Sequence, residues 1–143
     1  MGPQTNSNNF FGIAVSLPGI NVNQASPSQM MYTNDYTTTT WRDSNGNITL
    51  QEGLLTSGDY GFSAVAANGT ITLGSYTSAN TGNASQGMQI TDSSGFVLFE
   101  LNGETWFWYD KTTNTNVMQI GLLPDGTYGL AIAKPGYNVS DGV

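Results

Sequence analysis

The chain has 143 residues, three basic against ten acidic, with no cysteine and no histidine. Those absences remove thiol chemistry, every histidine-dependent triad and most metal chemistry. A net charge of −7 with Arg42, Lys111 and Lys134 as the only cations argues against a phosphate-backbone interface and against an anionic membrane surface.

The N-terminus, Met1-Gly-Pro-Gln-Thr-Asn-Ser-Asn-Asn9, is polar and lacks the basic n-region and apolar run of a secretory signal. It reads as a flexible segment over 1–9, and the chain is expected to be made without a cleaved export signal. Residues 10–87 read as an N-terminal β-hairpin region with polar loops and 88–143 as a C-terminal β-meander. The length is enough for one domain, or one elongated multi-hairpin unit, to bury a core. No window approaches the eighteen consecutive apolar residues of a membrane helix, so membrane insertion is not expected.

Eighteen glycines, with abundant Thr, Ser and Asn, give helices little to form from. Turn signals recur at Asp43-Ser-Asn-Gly46, Asn68-Gly69, Asp92-Ser-Ser-Gly95, Asn102-Gly103 and Pro124-Asp-Gly126. Asn-Gly and Asp-Gly pairs supply the positive φ angles of two-residue hairpins. Between the turns the sequence predicts strands at 11–17, 36–42, 48–52, 60–66, 70–76, 88–91, 96–101, 104–109, 117–122 and 127–133. The segments 21–34 and 77–86 are Ser/Thr/Asn/Gln-rich without a period and read as loops. The fold class is all-β, built of antiparallel hairpins. The connections from Met88 onward are short enough to force a meander.

Internal repeats are the strongest feature. Gly53-Leu-Leu-Thr-Ser-Gly-Asp-Tyr-Gly-Phe62 aligns with Gly121-Leu-Leu-Pro-Asp-Gly-Thr-Tyr-Gly-Leu130 sixty-eight positions later, and Gln51 falls on Gln119. Phe11-Gly-Ile-Ala-Val-Ser-Leu-Pro-Gly-Ile-Asn-Val22 aligns with Tyr128-Gly-Leu-Ala-Ile-Ala-Lys-Pro-Gly-Tyr-Asn-Val139, and Tyr60-Gly-Phe-Ser-Ala64 opens a looser third copy. Offsets of forty-nine and sixty-eight are unequal, which argues against a solenoid or propeller of fixed period. Alternation also fails: Trp106 and Trp108 stand on one face of their strand, Phe107 and Tyr109 on the other. Two apolar faces need cover. Identical chains in a trimer or other oligomer supply it in one reading, and a monomeric β-sandwich supplies it in the alternative.

Residues able to carry chemistry are few. Glu100, Glu104, Asp110 and Asp125 are the carboxylates suited to acid–base work. Glu100 and Glu104 flank the Asn102-Gly103 turn, where a charged side chain is ordinarily solvated. No nucleophile elbow and no phosphate-cradling loop occurs. Asp43-Ser-Asn-Gly-Asn47 has the oxygen spacing of a calcium loop, but its glycine is at the fourth position and Leu54 stands where the bidentate glutamate belongs, so it reads as a hairpin turn. Four Asn-x-Ser/Thr sequons, at Asn47, Asn68, Asn83 and Asn138, are about what fifteen asparagines give by chance. Catalytic residues, metal ligands and cofactors are therefore not assigned. Trp41, Trp106, Trp108 and Tyr109, with Tyr60, are candidates for stacking on sugar rings, against a plain role in core or subunit packing.

Three segments carry a resemblance: Phe11-Gly-Ile-Ala-Val-Ser-Leu-Pro-Gly19, Gly95-Phe-Val-Leu-Phe-Glu-Leu-Asn-Gly-Glu-Thr-Trp106, and Gly121-Leu-Leu-Pro-Asp-Gly-Thr-Tyr-Gly129 with its continuation through Lys134-Pro-Gly-Tyr-Asn-Val139. In patches covering half the chain, they resemble tail-fibre, baseplate and attachment proteins of tailed bacteriophages. In those proteins, hairpin modules build elongated, usually trimeric assemblies. The resemblance implies a non-enzymatic virion component serving structure, decoration or host attachment. Its implied partners are sister chains, other virion proteins and a host-surface glycan. The competing expectation is a carbohydrate-binding or adhesin module on a cell surface.

Overall fold

A computed structural model describes residues 13–20, 25–26, 29–35 and 37–141. It is all-β: eleven strands, every described pair antiparallel, with a 3-10 turn at Val139–Asp141. The strands are β1 (Ile13–Ser16), β2 (Met30–Asn34), β3 (Thr38–Arg42), β4 (Ile48–Leu54), β5 (Tyr60–Ala66), β6 (Gly69–Thr77), β7 (Ala84–Asp92), β8 (Val97–Asn102), β9 (Thr105–Asp110), β10 (Thr115–Leu122) and β11 (Tyr128–Ile132). The chain divides into two compact units, 1–66 and 67–143. In the first, β1 to β5 pair in sequence order; in the second, β6 to β11 do the same.

Two segments expected to be loops contain strand. Met30–Asn34 is β2, paired with β1 and β3, and β7 begins at Ala84 rather than Met88, so the connection from β6 shrinks to 78–83. Polar strands of this kind are held by their neighbours' ladders, because their own side chains have no apolar period to signal them. The expected 1–9 segment and Phe11 lie outside the described residues.

Four turns share one construction: Asp43–Asn47, Leu55–Asp59, Asp92–Phe96 and Leu123–Thr127. In each, the first residue's N–H donates to the fifth carbonyl (2.7–3.0 Å) and the fourth residue's N–H donates to the first carbonyl (2.9–3.0 Å). The fourth residue is always glycine, with φ between +83° and +91° at Gly46, Gly58, Gly95 and Gly126. These are three-residue hairpin loops closed by one left-handed glycine, which at Asn45-Gly46 and Asp125-Gly126 replaces the expected two-residue hairpin, whereas at Asn102-Gly103 the two-residue hairpin forms as expected, Asn102 pairing with Thr105. Asp43 and Asp92 reinforce theirs, each accepting two backbone N–H groups on Oδ1, from Asn45 and Asn47 and from Ser94 and Phe96. The oxygens of the Asp43 segment thus serve a hairpin.

The sequence repeat is a repeat of structure. In the β4–β5 hairpin Leu54 pairs with Tyr60, Gly53 with Gly61 and Gln51 with Ser63. In β10–β11, Leu122 pairs with Tyr128, Gly121 with Gly129 and Gln119 with Ala131. The correspondence extends into the preceding strand. Trp41 pairs with Leu50 and Trp108 with Met118, and the residue just before each of these partners, Thr49 or Val117, is bulged out of register. Gly53 and Gly121 have φ of +98° and +113°, and an added Cβ would lie 2.1 Å from the carbonyl oxygen of Thr37 or Glu104. The module is therefore three strands, one bulge and one glycine packed against a carbonyl.

Candidate functional site

Register assigns each side chain of the second unit to a face. Ile71 and Leu73 of β6, Met88 and Ile90 of β7, Phe99 and Leu101 of β8, Trp106 and Trp108 of β9, Met118 and Ile120 of β10, and Leu130 and Ile132 of β11 follow one another across the ladder. At a strand spacing of about 4.8 Å these six strands make an apolar face roughly 24 Å across. Trp106, Leu130 and Ile132 are 46%, 59% and 71% exposed, and Ile71, Leu73 and Ile120 are exposed too. Phe99 is covered by the edges of its neighbours' rings, with centroids 6.0 Å from Trp106 and 5.0 Å from Trp108.

The opposite face of this unit buries polar groups, Glu100 and Gln119, beside the ring of Phe107. Glu100 is 0% exposed. Its carboxyl accepts from Ser78 Oγ (2.7 Å), the Ala79 backbone N–H (2.9 Å) and Tyr109 Oη (3.0 Å). Ser78 begins the loop after β6 and Tyr109 stands on β9, so one carboxyl ties loop to sheet. Tyr76 donates to the Leu101 carbonyl at 2.6 Å, the same carbonyl oxygen that a Cβ on Gly87 would meet at 2.0 Å. Burial, then the nearby Glu100 charge, pushes the Tyr76 phenol up to about 12 and raises Tyr109 further still. The expectation of a solvated Glu100 is thereby corrected: it sits on the inward face, and the 78–83 loop folds over it. Glu104, two residues beyond the strand, is exposed and receives a hydrogen bond from Tyr128 Oη.

Beside Tyr109 lies a cavity of about 300 Å³, lined by Asn80, Phe96, Tyr109, Asn114, Asn116 and Asn138 among others, with no charged residue in its wall. The Asn116 backbone N–H donates to Asn138 Oδ1 at 3.0 Å, and Asn116 Nδ2 donates to Gln119 Oε1 at 3.2 Å. Asn116 Oδ1 is buried and accepts no hydrogen bond from the described residues. The 3-10 turn fastens the far wall, with both the backbone N–H and Nδ2 of Asn138 donating to Asp141.

The four aromatic candidates separate. Trp106 and Trp108 stand together, centroids 6.0 Å apart, on the apolar face. Tyr109 is on the other face, stacked at 20° to the buried Phe107 and lining the cavity. Trp41 belongs to the first unit, half-buried edge-on against Tyr32 at 5.4 Å, and Tyr60 is 63% exposed. Sequence reasoning missed the asparagines of the cavity wall, which carry no distinguishing signal in an asparagine-rich chain. No protein-family model, curated protein or solved structure matches this chain.

Proposed function

We propose that the protein is a non-enzymatic structural subunit that assembles with copies of itself through the apolar face of its second unit. The observation that carries this reading is the uncharged, two-row apolar face over β6–β11, with side chains up to 71% exposed at Ile132. A face that large on a soluble chain marks an interaction surface. It has no charge with which to select a polar partner, and the surface best matched to it is the same face on a sister chain, as isologous and ring-forming contacts both allow. The resemblance to tailed-phage fibre, baseplate and attachment proteins supports placing such an assembly in a virion.

Light scattering over a range of concentrations tests the assembly. The expected mass is a whole-number multiple of 15.2 kDa, three for a fibre-like trimer. Leu130→Lys with Ile132→Lys, at positions already exposed, is expected to give a folded monomer. A wild-type chain that stays monomeric at all concentrations would remove the reading.

A further inference from the structure

We propose that the outer edge of β11 is a strand-pairing site for the β11 of a second copy of this chain, the two joined antiparallel about a two-fold axis at Leu130. The direction of the backbone groups defines that edge. Leu123 N–H donates to the Thr127 carbonyl and Ala133 N–H to the Val117 carbonyl, so residues 127, 129, 131 and 133 face β10. The alternate residues Tyr128, Leu130 and Ile132 turn their N–H and C=O groups the other way. Among the described residues β10 is the one ladder partner of β11, and those outward groups make no hydrogen bond.

In the repeat, the same edge is occupied. Residues 11–22 align with 128–139, which places Ile13 on Leu130, Val15 on Ile132 and Leu17 on Lys134. In the first unit Leu17 N–H donates to the Gln29 carbonyl at 2.9 Å, Ile13 pairs with Asn34 and Val15 with Tyr32. The positions that meet β2 in one copy of the repeat are therefore the ones left bare in the other. β11 also lacks the features that guard an edge: Tyr128-Gly-Leu-Ala-Ile132 holds no charge and no proline, and its ladder to β10 has no bulge.

The strand is complementary to itself. With Leu130 opposite its own symmetry mate, Tyr128 meets the partner's Ile132, and each facing pair exchanges two backbone hydrogen bonds. In this register Lys134, exposed and without an ion pair among the described residues, comes beside the partner's Asp125, which is exposed as well. The opposite charges fix the register, at both ends by symmetry. Pairing of this kind adds a strand to each sheet and closes, because each chain's bare edge is used up by the other's. The proposal goes beyond the assembly reading, since it concerns the edge of the sheet rather than its face. It requires an even number of copies, so that trimers formed through the face would occur in pairs.

Amide hydrogen exchange on the ¹⁵N-labelled full chain, with its mass by light scattering, tests the pairing. The expected mass is an even multiple of 15.2 kDa, with slow exchange at Tyr128, Leu130 and Ile132. Leu130→Pro removes an outward N–H and spares the ladder to β10; it is expected to halve the mass and to release the Tyr128 and Ile132 amides. Leu130→Ala, which shortens the side chain but keeps the N–H, is expected to leave the mass unchanged. Fast exchange at the three amides would overturn the proposal, as would a folded Leu130→Pro chain of wild-type mass. A Leu130→Ala chain that dissociates as fully as Leu130→Pro would overturn it too, because the side chain and not the edge would then be the contact. A stable trimer would sink the edge pairing and leave the face reading standing, whereas a chain monomeric at every concentration would remove both.

Discussion

Glu100 is the one charged side chain among the described residues that is fully buried. Its oxygens satisfy a serine hydroxyl, a loop N–H and a tyrosine phenol, and hydrogen bonds to charged groups are worth about 1.5–3 kcal/mol each. Glu100→Ala would leave the buried Ser78 hydroxyl and the half-buried Tyr109 phenol without their acceptor, so a loss of about 2–3 kcal/mol is expected in denaturant unfolding. Glu100→Gln, which keeps one acceptor, should lose less. The tyrosines around it set an alkaline limit. Tyr76 is pushed up to about 12 in the folded chain, against about 10 for the unfolded one. Between those values the unfolded state releases a proton that the folded state retains, so stability is intact below pH 10 and falls as pH rises toward 12. Unfolding midpoints measured at pH 8, 10, 11 and 12 should decline only across the last three. At the other end of the titration range, the hydrogen bonds from Lys111 and then Ser94 hold Asp92 well below the usual carboxylate range, which keeps its hairpin turn capped in acid.

The three-strand module is where sequence and structure can be compared most directly. Gly121 and Gly129 are both invariant between the two copies of the repeat, yet they do different things. Gly121→Ala would force a Cβ to 2.1 Å from the Glu104 oxygen at φ +113°, and a cost of about 2–3 kcal/mol is expected. Gly129→Ala meets only the Leu123 side chain at 3.4 Å, so its thermal midpoint should move far less. One difference between the copies has a clear origin. Gln51 accepts from the Thr56 N–H, but the matching position is Pro124, which has no N–H to give. Gln119 turns instead to Leu122 and Asn116. Pro124→Thr is therefore expected to shift the side-chain amide resonances of both Asn116 and Gln119.

The elements bounded by an x-x-Gly turn were legible, because a left-handed glycine between β-branched runs has few other uses. β2 and the first half of β7 were not, since Met30-Met-Tyr-Thr-Asn34 and Ala84-Ser-Gln-Gly87 show no alternation. Of the cavity only Tyr109 stood out in the sequence. Its asparagines are four of fifteen, and what distinguishes Asn116 is an amide relay that exists only once β10 is paired and turned.

At the scale of the molecule, the second unit inverts the usual arrangement of a half-buried sheet. Its polar face carries the fully buried Glu100, while its apolar face carries the exposed Trp106, Leu130 and Ile132. A sandwich would have covered that face from within the chain. Within each unit, however, the described strands follow one another as a single meander, and the sheet layer that a sandwich requires is not among them. Burying the face against sister chains would withdraw the tryptophans from water, so assembly should shift their fluorescence to shorter wavelength in step with the scattering mass.

The meander has a consequence for how the chain acquires its structure. Within each unit every strand hydrogen-bonds to the strand made immediately before it, so no contact in those ladders waits for a distant part of the sequence. Loop-closure entropy is met in small instalments, one hairpin at a time. On a ribosome, each newly emerged strand finds its partner already in place. Growth can continue by simple addition, and duplicating a three-strand block lengthens such a protein without disturbing what has already folded.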